Sequence, residues 1–275
     1  MKNYLKLVNF EVSRFFKFYL ILIGLTTFSQ LIGSIIISQV YMKNAKQVMA
    51  EQQFSMKQYI EEYGTFSFYQ FQQSEWFLLP IFLCIAMLMI YVFFIWYRDW
   101  FGKNTFIYRL LMLPTERITI YFAKLTAIML LVLGLIALQI VLILIEKQIV
   151  NSIIPIDFQS SFSIYDKNSL EMWGWLYPNT FSDFILIYGV GLLLVAVLFT
   201  AILIERSYGL KGIFGAILYG LLSLGVFFVP IFLANFYTNY FYPLEIFLME
   251  LVACITLLGS AIWYANHLLK HKIRV

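Results

Sequence analysis

The chain has 275 residues, of which 62% are hydrophobic and only 12% charged, with a net charge of +4. Soluble domains carry about 25% charged residues, so the composition excludes an ordinary soluble domain and points to a membrane protein. The two cysteines, Cys84 and Cys254, fall inside apolar runs and read as small buried hydrophobes, not as a disulfide framework or a metal site.

Residues 3–17 pattern as an amphipathic helix lying in the membrane interface. Leu5, Val8, Val12 and Phe15 share one face and Lys6, Asn9, Ser13 and Lys17 the other. Glu11 and Arg14 stand at i,i+3 and suit an ion pair. Six apolar runs follow, at about 18–40, 76–97, 118–145, 183–204, 212–233 and 244–266, each near the roughly 20 residues that cross a bilayer as helix. The first lacks a small-residue cleavage pattern and reads as a true span. The third is long enough to tilt or project. Between the fourth and fifth only Glu205 to Lys211 intervene, enough for a tight helical hairpin. The expected fold is therefore an all-α integral membrane protein with six transmembrane helices forming one transmembrane domain over 1–275.

Six spans put both termini on one side. That side holds Lys2, Lys6, Arg14, Lys17, Arg98, Lys103, Arg109, Arg117, Lys124, Arg206, Lys211, Lys270, Lys272 and Arg274. The other holds only Lys43, Lys46, Lys57, Lys147 and Lys167. Positively charged loops stay inside, so both termini are expected in the cytoplasm and the protein in the cell membrane as a multi-pass species. This topology accounts for the net positive charge without a nucleic-acid partner. Two outer segments remain, about 41–75 and 146–182. The first is polar and has room for a polar helix. The second carries Phe158, Phe162, Trp173, Trp175 and Tyr177, expected near a headgroup layer. Trp173-Gly174-Trp175 reads as an interfacial anchor ahead of a substrate contact.

Within the spans, Gly212, Ala216 and Gly220 recur every four residues on the fifth run, a stripe that permits close helix packing. Gly24, Gln30, Gly33, Ser34 and Ser38 mark the first run as an interface or a path. Glu250 is expected to be the main intramembrane acid. No run interior contains histidine, which counts against an intramembrane hydrolase. No G-x-x-x-x-G-K-[ST] loop is present, so any ATP that powers this protein is bound by another chain.

The segment 98–124 is the most informative. It carries Arg98, Lys103, Arg109, Arg117 and Lys124 around a short amphipathic helix candidate, 105–113, closed by Pro114. Asp99, Gly102, Thr105, Leu110-Leu111, Leu113-Pro114, Arg117 and Lys124 together resemble the segment after the second span in the membrane (permease) subunits of type-2 ATP-binding-cassette (ABC) exporters. Asn9-Phe10-Glu11 with Arg14 resembles the entry helix of that family. The Gly-Thr pair is split here by Lys103-Asn104, and Ala123 stands where glycine often precedes the lysine.

The resemblance implies that 105–113 is a cytoplasmic coupling helix, with Phe106, Leu110, Leu111 and Leu113 apolar toward an ATPase groove and Lys103, Arg109 and Arg117 at its rim. Glu205, Arg206 and Lys211 form the second cytoplasmic contact. It also implies a separate ABC ATPase that binds ATP and Mg, a second permease subunit, identical or related, and no cofactor or catalysis in this chain. An amphipathic substrate (a peptide, a peptide antibiotic, a drug or a lipid-linked compound) would be moved outward, with immunity against membrane-active peptides as the preferred role. The alternatives are a non-transporting sensor or scaffold whose outer segments bind a ligand, and an intramembrane enzyme.

Overall fold

The computed structural model describes residues 2–101, 106–112, 116–159, 174, 176–178, 180–237 and 240–273. Among them the chain is all-helical, with one isolated bridge between Phe66 and Gln159. The helices are α1 (Lys2–Gln52), α2 (Met56–Tyr63), α3 (Phe68–Gln72), α4 (Glu75–Trp100), α5 (Phe106–Leu111), α6 (Ile118–Ile153), α7 (Phe181–Tyr208), α8 (Leu210–Phe236) and α9 (Pro243–His267). A short 3₁₀ turn, Ile156–Phe158, follows α6, and a π turn, Leu268–Lys272, extends α9. Six helical stretches are long and apolar enough to cross a membrane: Asn3–Gln52, Glu75–Trp100, Ile118–Ile153, Phe181–Tyr208, Leu210–Phe236 and Leu244–Lys272. They correspond to the six apolar runs of the sequence.

The first helix departs from expectation. Residues 3–17 are not a separate helix ahead of the first span. They begin a single helix of 51 residues. No proline or glycine stands between Asn3 and Ile23, and nothing in Phe15-Phe16-Lys17-Phe18-Tyr19 interrupts helical hydrogen bonding. The helix ends where Gln53 takes φ 53° and the Phe54 N–H donates to the Met49 carbonyl at 3.1 Å. This is a Schellman closure with glutamine in the left-handed position that glycine usually fills.

The chain forms two compact units, Met1–Arg14 with Leu88–Leu130 and Phe181–Val275, and Phe15–Met87 with Leu131–Thr180. The first unit packs around an aromatic triad. The Trp96 and Tyr121 rings both meet Phe199 edge-on, with centroids 5.6 and 5.7 Å away. Buried rings in this arrangement pair edge to face because the ring edge is positive and its face negative. The Tyr121 hydroxyl donates to the Ala196 carbonyl at 2.9 Å. The Thr200 hydroxyl lies 2.9 Å from the same carbonyl and 3.1 Å from that of Ala261, tying α7 to α9. Ala253, Ala261 and Ala265 are buried on α9, small residues that let helices approach closely.

The second unit has a core of its own. Ala45, Tyr59, Phe66, Phe68, Phe71, Phe77, Ile81, Val150, Ile154 and Phe158 form one buried cluster. The segment expected to be a polar outer loop thus supplies two short helices and most of an aromatic core. Phe158, expected at the headgroup layer, is buried in that core, and Tyr177 packs against it. Phe162, Trp173 and Trp175 lie outside the described residues. Deeper in the unit, the Gln30 side-chain amide donates to the Phe77 carbonyl at 3.2 Å and accepts from Gln139 at 3.0 Å. One glutamine so joins α1, α4 and α6.

Between α7 and α8 stands a single residue, Gly209, with φ 59°, a conformation that costs glycine little. The proposed small-residue stripe on α8 divides. A Cβ on Gly212 would lie 2.6 Å from the Ile204 carbonyl oxygen and 2.7 Å from that of Glu205, whereas one on Gly220 would meet nothing within 4 Å. Ala216 is half-buried. Close approach therefore belongs to the hairpin at Gly212 and does not extend to Gly220. Gly212→Ala should lower stability by about 1–3 kcal/mol, seen as a fall in apparent Tm in detergent, because backbone must shift to admit the methyl. Gly220→Leu should leave the Tm of the isolated chain unchanged, and a large loss there would place a tight contact at Gly220 instead.

Candidate functional site: a buried ionic network

Three helices of the first unit each set one ionic residue into an apolar stripe. On the part of α1 that belongs to this unit the buried positions are Val8 and Glu11. On α4 they are Val92, Ile95, Trp96 and Asp99, and on α6 they are Ile120, Tyr121, Lys124, Ala127 and Ile128. Spacings of three and four residues put each set on one helix face. Glu11, Asp99 and Lys124 are therefore carried inward by their apolar neighbours.

Lys124 is 0% exposed. Its ammonium lies 2.8 Å from Glu11 Oε1, 2.5 Å from Asp99 Oδ2 and 2.8 Å from the Ile95 carbonyl oxygen. An ammonium has three protons and no acceptor, so these three bonds satisfy it completely. The remaining carboxylate oxygens are met by guanidinium groups. Arg98 Nη2 donates to Glu11 Oε2 at 3.1 Å and Arg14 Nη1 to Asp99 Oδ1 at 2.7 Å. Charges thus alternate along Arg98, Glu11, Lys124, Asp99 and Arg14. The two arginine side chains form the rim, 28% and 23% exposed. Ring faces add to the setting: Lys124 Nζ lies 5.2 Å from the Trp96 centroid and the Arg98 guanidinium 5.9 Å from that of Tyr91. The Tyr91 hydroxyl donates to the Glu11 carbonyl at 3.3 Å.

The i,i+3 contact expected between Glu11 and Arg14 is present but long, at 3.8 Å, and Arg14 binds Asp99 more closely. Asp99, grouped by the sequence with the coupling segment, is fully buried and holds that segment's root. Gly102, Lys103, Thr105, Leu113 and Pro114 lie outside the described residues. Phe106 and Arg109 fall on α5, with their side chains outside the described set. Leu110 and Leu111 do not offer an outward apolar surface. They are 4% and 6% exposed, beside buried Ile107, while Met112 is 69% exposed. The reason is that a one-turn helix beside a helical bundle buries its leucines against its own chain first.

Arg117 also turns inward. Its Nη1 donates to the Leu269 carbonyl at 2.7 Å and to that of Ile273 at 2.8 Å, so it closes the π turn after α9. At the foot of α7, Glu205 accepts a hydrogen bond from the Tyr97 hydroxyl. The Arg206 guanidinium lies over the Tyr97 and Phe101 rings, at 4.6 and 5.1 Å from their centroids. Lys211 is exposed. Glu250 is half-buried on α9, and neither carboxylate oxygen has a hydrogen-bond partner among the described residues.

Sequence reasoning quoted Lys124 and Arg98 without giving either a role in the site. The available signal was Lys124 inside the apolar pattern 120–128, since a lysine there needs acids from elsewhere. It also missed Glu146, which is more deeply buried than Glu250.

Removing one partner of a buried ion pair leaves an uncompensated charge and costs about 3–5 kcal/mol. Lys124→Ala should therefore destabilise the chain by that amount, read as a large drop in apparent Tm. Lys124→Met combined with Glu11→Gln and Asp99→Asn should recover part of the loss, because no charge is then left in the fully buried centre and the two arginines keep contact with water at the rim. A Lys124→Ala protein that melts like the wild type would mean the two carboxylates are hydrated rather than buried.

Comparison of the chain with protein-family models, with curated proteins and with solved structures yields no match, so its functional reading rests on the geometry above.

Proposed function

We propose that this chain is the membrane subunit of an ATP-driven exporter of the type-2 ABC class, working with a separate ATPase. The observation that carries the reading is the buried network of Glu11, Asp99 and Lys124. It clamps both ends of the segment 101–117, where α4 stops and α6 starts, to the beginning of α1. A segment that passes a push from a partner into membrane helices needs stiff roots, and fully satisfied buried ion pairs supply them by specifying one arrangement. The residues of the network are among those that resemble the family's segment after the second span and its entry helix. Arg117, bonded to two carbonyls after α9, extends the same anchoring to the end of the chain.

In this reading the basic segments face the cytoplasm and the ATPase seats on 101–117, with 205–211 as a second contact. Closure of the ATPases on ATP and Mg rocks the helices as rigid bodies and opens a path for an amphipathic substrate at the interface with a second permease. Export of membrane-active peptides is the preferred role. The inward Leu110 and Leu111 shift the expected contact to the exposed residues of the segment, of which Phe101, Met112 and Glu116 are described.

A second reading is favoured by one observation, the aromatic core of the second unit. A segment that merely joins spans needs no core of its own, and a ligand-sensing or scaffolding role for the outer part uses one. Affinity purification from native membranes separates the two. The exporter reading requires co-purification of a polypeptide carrying G-x-x-x-x-G-K-[ST], together with ATP hydrolysis, whereas the scaffold reading requires neither.

Two variants locate the contact. Met112→Asp should reduce recovery of the ATPase at least tenfold while the chain stays folded, since a charge lodged in an apolar contact costs more than 1.4 kcal/mol. Leu111→Asp should instead lower the yield of the chain itself. Undiminished ATPase recovery with Met112→Asp would move the contact to 205–211. Orientation is checked by cysteines replacing Ser55 and Tyr208, both exposed. An impermeant thiol reagent added outside intact cells should label position 55 and leave 208 unlabelled, and the reverse pattern would invert the topology.

A further inference from the structure

A second buried acid stands apart from the network. Glu146, on α6, is 0% exposed, and neither carboxylate oxygen has a hydrogen-bond partner among the described residues. It belongs to the inward stripe Gln139, Leu142, Glu146, Val150 and Ile154, all buried at helical spacing. Facing it in register is a polar stripe on α1: Thr26, Gln30, Ser34 and Ser38, each four residues after the last and each buried. Helices α1 and α6 run in the same direction here. Tyr19 donates to the Leu131 carbonyl and Gln30 accepts from Gln139, while Ala45 shares a core cluster with Val150 and Ile154. That register sets Glu146 level with Ser38 and Tyr41.

Among the described residues the neighbouring groups offer no counter-charge. The Ser34 and Ser38 hydroxyls are spent on the carbonyls of Leu31 and Ser34. On α1, Lys43 and Lys46 are exposed, as is Glu75 at the start of α4. Tyr41 on α1, Tyr59 on α2 and Tyr177 are the titratable groups packed at this core, and a phenol supplies no positive charge. Lys147 lies about 100° round the helix from Glu146 and is half-buried. No ion pair reaches Glu146 among the described residues. Nor does its carboxyl snorkel to a surface, since the whole residue is enclosed. A carboxylate stripped of water and partners costs many kcal/mol, whereas the neutral acid does not carry that charge penalty.

We propose that Glu146 is a proton-binding site: one proton is taken up as α1 and α6 close over the carboxyl and is released when they part. Its ligand is the proton itself, because no group of three metal-ligating side chains gathers there among the described residues. The sign follows from linkage. The closed state holds one proton more than the open state, so low pH favours closure and rising pH favours opening. Above the titration point of the open-state carboxyl, and until the closed state itself ionises, the opening constant rises about tenfold per pH unit, the slope of one released proton. This inference does not depend on the ATPase reading.

The test uses the full chain in lipid nanodiscs. Infrared difference spectra at neutral pH should contain a protonated-carboxyl stretch that Glu146→Gln removes and that Glu146→Asp, which keeps an acid, shifts. Hydrogen–deuterium exchange over 34–45 and 139–154, corrected for the intrinsic chemistry of exchange, should accelerate about tenfold per pH unit in the wild type and stay flat in Glu146→Gln. If Glu146→Gln does not fold, the shifted band in Glu146→Asp together with the wild-type exchange profile decides the matter. A carboxylate band from Glu146 at neutral pH, wild-type exchange indifferent to pH, or the same slope in Glu146→Gln would each overturn the proposal.

Discussion

The ammonium of Lys124 decides how the first unit is built. Placed between Glu11 and Asp99 with no access to water, it is worth having only if all three protons are used, and they are. Taking an ammonium and two carboxylates out of water costs several kcal/mol apiece, so such a network adds little net stability over well-packed apolar residues. What it adds is discrimination. Sliding α1 by one turn against α6 would strand Lys124 or Glu11, whereas sliding a purely apolar seam would exchange one methyl contact for another. The network thus sets the register of α1, α4 and α6, and the Trp96–Tyr121–Phe199 triad packs in that register.

The buried acids of this chain fall into two kinds. Glu11 and Asp99 are each met at both oxygens by cations, and their charge is the reason for the local structure. Glu146 has no hydrogen-bond partner at either oxygen among the described residues. An acid of the first kind serves as a fixed fastener. An acid of the second kind gains nothing from the surroundings shown by carrying a charge.

The segment between α4 and α6 is held at its described parts. Leu110 and Leu111 are buried, and Arg117 is bonded to the carbonyls after α9. The helices on either side of it, α4 and α6, are joined to each other and to α1 by one lysine.

The six membrane-length helices and the all-α character were determined by the sequence, because apolar runs of about 20 residues have few alternatives in a bilayer. The residue types of the ionic site were visible too, since lysine, glutamate and aspartate inside apolar patterns must find one another. Which way the apolar residues face was decided only by the tertiary structure. In a soluble helix, water marks the outer face with polar residues; in lipid, the outer face is as apolar as the inner one, and periodicity carries no contrast. Gly212 and Gly220 therefore looked alike in sequence until packing separated them. The continuity of α1 was hidden for a related reason: the shift from a mixed to an apolar pattern near Lys17 marks a change of surroundings, not a break in the backbone.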